Sequence, residues 1–331
     1  MAGIDHGGRL SLARARWPDA PGPWIDLSTG INPWSYPVGD PDHRAWARLP
    51  DPAALAALEA VMARAFGVAS DRVAACGGSE TALRLLPLLF PVGVRVGIAG
   101  PTYGSHADAW HGAIMAPLAT LIARLDTVDV LVVVRPNNPD GALADEALLG
   151  DAARALAARG GALVLDEAFA DALPGASLAA RDWAAGAIIL RSFGKTYGLA
   201  GLRLGAVIAP AAMAARLRRT LGDWPVSEPA IAIGARAYAD DVWLAATRDR
   251  LAEAARRLEG LLGDLGFMSG GACPLFRLVE HDRAGVLHDR LARHGIWTRI
   301  FADNPHWLRL GLPGSPAAWT RLAAALEDFE Q

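Results

Sequence analysis

Six short apolar runs punctuate the first two thirds of the chain: VAAC (73–76), VRVGIA (94–99), VDVLVVV (128–134), ALVLD (162–166), AIILRS (187–192) and LGAVIA (204–209). They are near-continuously apolar rather than alternating, the pattern of strands covered on both faces. Ala/Leu/Arg-rich stretches of helical period separate most of them, 145–159 being the clearest. Together they predict a wound α/β fold with a mixed, mostly parallel sheet, in which ligand-binding groups collect at strand ends.

The pattern changes at both ends. Proline and glycine crowd the first 52 residues (WPDAPGPW, INPWSYP, LPDP) and predict an extended arm. A second shift follows GDWPVSEP (222–229), after which 230–265 reads as long helix and 276–279, 296–300 and 307–311 as short strands. The expected organisation is an arm over 1–45, a large domain over 46–225 and a smaller α+β domain over 226–331. No fixed repeat is present.

With 52% hydrophobic residues, the 331-residue chain can bury a substantial core. Lys+Arg is 32 against Asp+Glu 35, and a net charge of −3 supplies no field for nucleic acid or an anionic membrane. Phosphate recognition would therefore have to be local. Two cysteines, Cys76 and Cys273, make neither a disulfide framework nor a zinc site, so no metal is expected and a reducing, cytoplasmic setting is. The first residues lack the apolar core of a signal peptide, and no window reaches the roughly 18 apolar residues of a membrane span. One compositional oddity changes the picture: Lys195 is the only lysine beside 31 arginines. Only the lysine amine can lose its proton and form an imine. A lone surface lysine is the bland alternative, and its neighbourhood decides.

Lys195 follows the run AIILRS in LRSFGKTYGLAGLRLG, with Ser192 before it and Arg203 eight residues on. Arg203 is either a surface cation or a bidentate ligand for a phosphate. Asp166 ends ALVLD, as a helix cap, a structural ion pair or the partner of a cofactor cation. In ACGGSETALRLL, Gly78, Ser79 and Glu80 open a helix, a common start and also a cradle for anions. Tyr103 in PTYGSH offers either core packing or a ring to stack on a flat heteroaromatic. Asn138 in RPNNPDG is held extended by the following proline, for turn chemistry or to aim its amide outward. Their joint occurrence at the ends of apparent strands outweighs the separate bland readings.

In this order the motifs resemble the fold type I enzymes dependent on pyridoxal 5′-phosphate (PLP), the aspartate aminotransferase superfamily, over nearly the whole chain. The resemblance implies PLP as cofactor and a large domain followed by a small one. It makes Lys195 the imine-forming lysine, Asp166 the partner of the pyridine nitrogen, Tyr103 the ring stacker and Asn138 the donor to the cofactor phenolate. Gly78, Ser79, Glu80, Ser192 and Arg203 match the phosphate cup, and Arg309 in HWLRLGLP the arginine for the substrate α-carboxylate.

The opening arm narrows the resemblance. His6-Gly7-Gly8 and DLSTGINPWSYP (26–37), which contains Gly30 and Asn32, are similar to segments of a decarboxylase branch that acts on a phosphorylated amino acid. Arg299 in IWTRIF matches an arginine for the substrate phosphate. The implied reaction is decarboxylation of L-threonine O-3-phosphate to (R)-1-amino-2-propanol O-2-phosphate by a homodimer, with His6, Gly30, Asn32, Asn138, Arg299 and Arg309 at the substrate. Transamination of the histidinol-phosphate type is the alternative, and a PLP-binding protein without turnover a third. Two positions depart from the superfamily pattern. Phe169 stands where a tyrosine usually donates to the phenolate, and Leu49 where a tyrosine usually reaches the partner subunit's cofactor.

Overall fold

The computed structural model describes residues 7–39 and 42–330, so His6 lies outside the described residues. It divides into two compact units. The larger comprises Ser35–Asn138 and Ala142–Ala246; the smaller takes the chain up to Trp34, Pro139–Gly141 and everything from Thr247 on.

The larger unit is built on a seven-stranded sheet. Its spatial order is Val73–Cys76, Gly205–Ile208, Ile188–Ser192, Ala162–Asp166, Val130–Val134, Val96–Ala99 and Ile114–Ala116. From Ile188–Ser192 outward to Ile114–Ala116 every pairing is parallel, while Gly205–Ile208 runs antiparallel to both of its neighbours. Two reversals restore direction, so Val73–Cys76 points the same way as Ile188–Ser192. Both the ends of the parallel strands and the start of Gly205–Ile208 therefore meet at one sheet edge. Each apolar run forms its strand, trimmed by up to two residues at an end. Residues of one strand pack alternately into two cores, Val73 and Ala75 on one face and Ala74 and Cys76 on the other, which is why the runs show no alternation.

Val73–Cys76 ends the sheet, and its outer backbone groups are met by side chains instead of another strand. Glu59, from the helix Pro52–Phe66, accepts from Ala75 N at 2.9 Å. Arg218, from Ala211–Leu221, donates to the Val73 carbonyl and pairs with Glu59 at 3.1 Å. The ion pair thus occupies the hydrogen-bonding edge that would otherwise be open to another chain.

Two expectations need correction, and one strand is additional. The helix expected over 230–265 is two helices, Glu228–Tyr238 and Asp241–Gly263; between them Asp240 accepts from Trp243 N at 2.9 Å and starts the second. The proline-rich opening is not all extended: Leu10–Arg16 is helical where no proline interrupts, and its Ala13 is fully buried. Ile114–Ala116 was not anticipated, being a three-residue edge strand with Ile114 and Met115 exposed.

The smaller unit holds a four-stranded antiparallel sheet in the order Arg299–Phe301, Asn304–Gly311, Phe276–Glu280 and Ser269–Gly270. Within this unit the arm contributes Ile25–Asp26, paired in parallel with Ile296–Trp297. Arg299 and Arg309 stand directly opposite each other on paired strands. Among the described residues no helix is long and apolar enough to cross a membrane.

One buried charge ties the larger sheet to its loops. Arg191 is 2% exposed; its Nη1 donates to Glu167 Oε2 at 2.8 Å and to Ser177 Oγ at 2.6 Å, and its Nη2 to Asp171. Burial opposes its charge, but the two carboxylates more than offset this and raise its pKa. Removing the guanidinium takes the bridging positive charge away from two buried carboxylates, so Arg191→Ala should lose about 3–5 kcal/mol of stability. Urea unfolding checks this; a loss below about 1 kcal/mol, the range of exposed pairs, would contradict it.

Candidate active site

At the sheet edge where these strands end lies a cavity of about 220 Å³ within the larger unit. Gly78, Ser79 and Glu80 reach it from the end of Val73–Cys76, Tyr103 from the loop after Val96–Ala99, and Asn138 from beyond Val130–Val134. Asp166 reaches it from the last position of its strand, Ser192 and Lys195 from the turn after Ile188–Ser192, and Arg203 from the approach to Gly205–Ile208. All nine positions expected around a cofactor thus line one cavity. Gly30, Asn32, Arg299 and Arg309 belong to the smaller unit.

Strand alternation explains how adjacent residues serve opposite tasks. Asp166 and Ser192 line the cavity, whereas their neighbours Glu167 and Arg191 turn to the other face and form the buried ion pair. Lys195 sits in the single helical turn Phe193–Thr196, anchored by the Phe193 and Tyr197 rings stacked at 4.4 Å and by Trp243 stacked on Tyr197 at 5.4 Å. Its amine lies 5.8 Å from the centre of the Phe169 ring. Phe169 brings no hydroxyl to this wall.

Asp166 is 4% exposed and oriented on both oxygens: Oδ1 accepts from Ala168 N at 3.0 Å, and Oδ2 meets His106 Nε2 at 2.9 Å. With Oδ2 as acceptor, His106 holds its proton on Nε2. His106 is fully buried in the helix Ser105–Ala109, three residues after Tyr103, and escaped the sequence reading although PTYGSH contains it. A usable signal was there: Tyr103 and His106, three apart, share the face of one turn. Tyr103 donates to Glu80 Oε2 at 3.2 Å; burial above all, with the Glu80 carboxylate, raises its phenol pKa. Its hydroxyl stays protonated and its ring remains a neutral wall. The neighbouring Asn137 accepts from Thr102 Oγ1 at 2.7 Å and donates to the Pro101 carbonyl at 3.1 Å, which steadies the loop that presents Asn138.

Arg203 has a left-handed backbone, φ 56°, which a side chain pays for with about 1–2 kcal/mol. Its guanidinium passes so close to Gly78 that a Cβ there would lie 2.9 Å from Nη2. Gly78 itself has φ 96°, a conformation that favours glycine, and a side chain there would also push the Arg203 tip aside. Arg203 Nη1 donates to the Ala200 carbonyl at 3.1 Å. Serine hydroxyls, the Gly78 turn and this guanidinium make a donor set suited to a phosphate; the buried carboxylate, flat phenol, amide and amine suit a protonated pyridine ring bearing an aldehyde and a phenolate. The residues present therefore fit PLP. Among the described residues no cluster of His, Cys, Asp and Glu could hold a metal ion.

Comparison with known proteins accords with this arrangement. The model of the aminotransferase class I and II family matches residues 40–326, and the chain belongs to that family. It is 42% identical to a threonine-phosphate decarboxylase of Pseudomonas aeruginosa, over 99% of this chain and 98% of that one. A histidinol-phosphate aminotransferase of Gluconobacter oxydans is 28% identical over 85% of this chain and 82% of its own. Among solved structures, a histidinol-phosphate aminotransferase from Sinorhizobium meliloti in complex with pyridoxal-5′-phosphate superposes with a TM-score of 0.84 at 21% identity, covering 96% of this chain and 93% of that one.

If the strained Arg203 backbone is held for its guanidinium, Arg203→Gly removes the αL cost together with the guanidinium. The apo variant should unfold within about 1 kcal/mol of the parent, whereas its affinity for PLP, followed by titration, falls at least about tenfold. A large stability loss with unchanged affinity would contradict the assignment.

Proposed function

We propose that the chain is a PLP-dependent lyase that decarboxylates L-threonine O-3-phosphate to (R)-1-amino-2-propanol O-2-phosphate, a step of cobalamin biosynthesis. The full-length likeness to a threonine-phosphate decarboxylase carries this reading. Transamination of the histidinol-phosphate type rests on the lower likeness.

Lys195 would bind the cofactor through its amine, with Ser79, Ser192 and Arg203 on the phosphate, Tyr103 against the ring and Asn138 at the phenolate. Asp166, held by His106 and the Ala168 amide, would keep the proton on the pyridine nitrogen. PLP bound there supplies an acceptor for the electron pair left at Cα when a bond to that carbon breaks. The other residues choose the bond and place the proton.

Arg299 and Arg309 support a substrate with two anionic ends. Residues directly opposite on an antiparallel pair leave the sheet on the same face, and like charges there repel. A carboxylate on Arg309 and a phosphate on Arg299 would relieve that repulsion, with His6, Gly30 and Asn32 completing the hold. Two fixed ends restrict rotation about Cα and present the carboxylate bond for cleavage. Loss of CO₂ would leave the electron pair at Cα, and Lys195 Nζ, released once the substrate amine has taken its place on the cofactor, would deliver the proton there.

The reading extends to a homodimer, which the exposed Trp46 and Leu49 support, and to the cytoplasm, which two buried free thiols support. Burial pushes the Cys76 thiol up to about 12, so it stays unreactive at neutral pH.

The test is direct. Purified holoenzyme given L-threonine O-3-phosphate should release CO₂ with no 2-oxo acid present. Product formation that requires 2-oxoglutarate would overturn the reading in favour of the aminotransferase, and no product under either condition would overturn it in favour of a PLP-binding protein without turnover.

A further inference from the structure

Arg309 is 3% exposed, and one of its anchors lies in an unexpected place: Nη2 donates to the backbone carbonyl of Ser28 at 3.0 Å. Ser28, 1% exposed, is a junction. Its amide and hydroxyl both donate to Asp26 Oδ1, at 2.9 and 2.5 Å, and its hydroxyl oxygen accepts from Gly8 N at 2.7 Å. The segment is pinned to the Arg309 strand by the Gly311 amide, which donates to the Leu27 carbonyl at 2.7 Å.

The Gly7–Gly8 turn rests on this same junction. Gly8 has φ 84°, and a Cβ on Gly7 would fall 2.3 Å from the Ser28 carbonyl oxygen and 2.9 Å from its carbon. The atom that Gly7 covers is the one to which Arg309 donates. A methyl group at position 7 cannot be accommodated without moving that oxygen or expelling the turn, because the obstacle is backbone rather than a flexible side chain.

We propose that Ser28 is a positioning residue through which the Gly7–Gly8 turn sets the Arg309 guanidinium, so that the grip on the substrate carboxylate depends on the seating of the N-terminal arm. This rests on Arg309 being the carboxylate ligand. It gives the two glycines a role beside that of His6: the arm that carries the expected phosphate ligand also aligns the carboxylate ligand, and one segment governs both ends of the substrate.

The distinguishing feature is selectivity for the carboxylate. Parent and Gly7→Ala holoenzymes are compared for kcat/KM with L-threonine O-3-phosphate and for the inhibition constant of (R)-1-amino-2-propanol O-2-phosphate, which lacks only the carboxylate. Gly7→Ala should lower kcat/KM at least about tenfold while the inhibition constant shifts less than about twofold. Equal weakening of both, as expected if the arm serves only the phosphate, or no change in either, would overturn the proposal. Should Gly7→Ala fail to fold, Ser28→Ala, which releases Gly8 and removes the hydroxyl's bond to Asp26 but keeps the amide's bond and the carbonyl, gives the same comparison with the same criteria. If the parent itself releases no CO₂, the functional reading has failed separately. Calorimetric titration with O-phospho-L-serine and O-phosphoethanolamine, another pair differing by one carboxylate, then tests the Ser28 junction by itself.

Discussion

The geometry of the cavity depends on the buried guanidinium of Arg191. Two strand ends that carry cavity residues, Asp166 and Ser192, each have their next residue or previous one in this ion pair, and Asp171 and Ser177 join it from the loop after Asp166. A charge buried this deeply is tolerated only with its partners in place, so the network holds the loop and both strand ends in one arrangement. Lys195, three residues after Ser192, inherits that position and is fixed further by the Phe193, Tyr197 and Trp243 stack.

Topology adds the second constraint. Placing one antiparallel strand among parallel ones brings the start of Gly205–Ile208 to the edge where the others finish. Arg203 therefore arrives at the cavity from the opposite chain direction to Lys195, and meets the Gly78 turn from the neighbouring strand. The strained backbone at Arg203 and the burial of Asp166 are local costs set against this convergence, as is common where a ligand is to be bound.

Much of this was legible in the chain. Strands covered on both faces show as unbroken apolar runs, and residues at their ends are easily picked out when one is a solitary lysine. What could not be read was long-range or weakly encoded. His106 sits on a five-residue helix with no pattern of its own, and its pairing with Asp166 spans 60 residues. The break between Tyr238 and Asp241 hides in a stretch of uniform helical composition, because one capping aspartate leaves hydrophobic periodicity intact. The Ser28 junction depends on contacts between segments some 280 residues apart.

In the proposed enzyme the one lysine of this chain, Lys195, carries the cofactor. Borohydride reduction of the holoenzyme followed by peptide mass spectrometry tests it most directly. The expected result is a pyridoxyl adduct on the peptide containing Lys195 and on no other peptide. An unmodified Lys195 peptide from a fully loaded enzyme would contradict it.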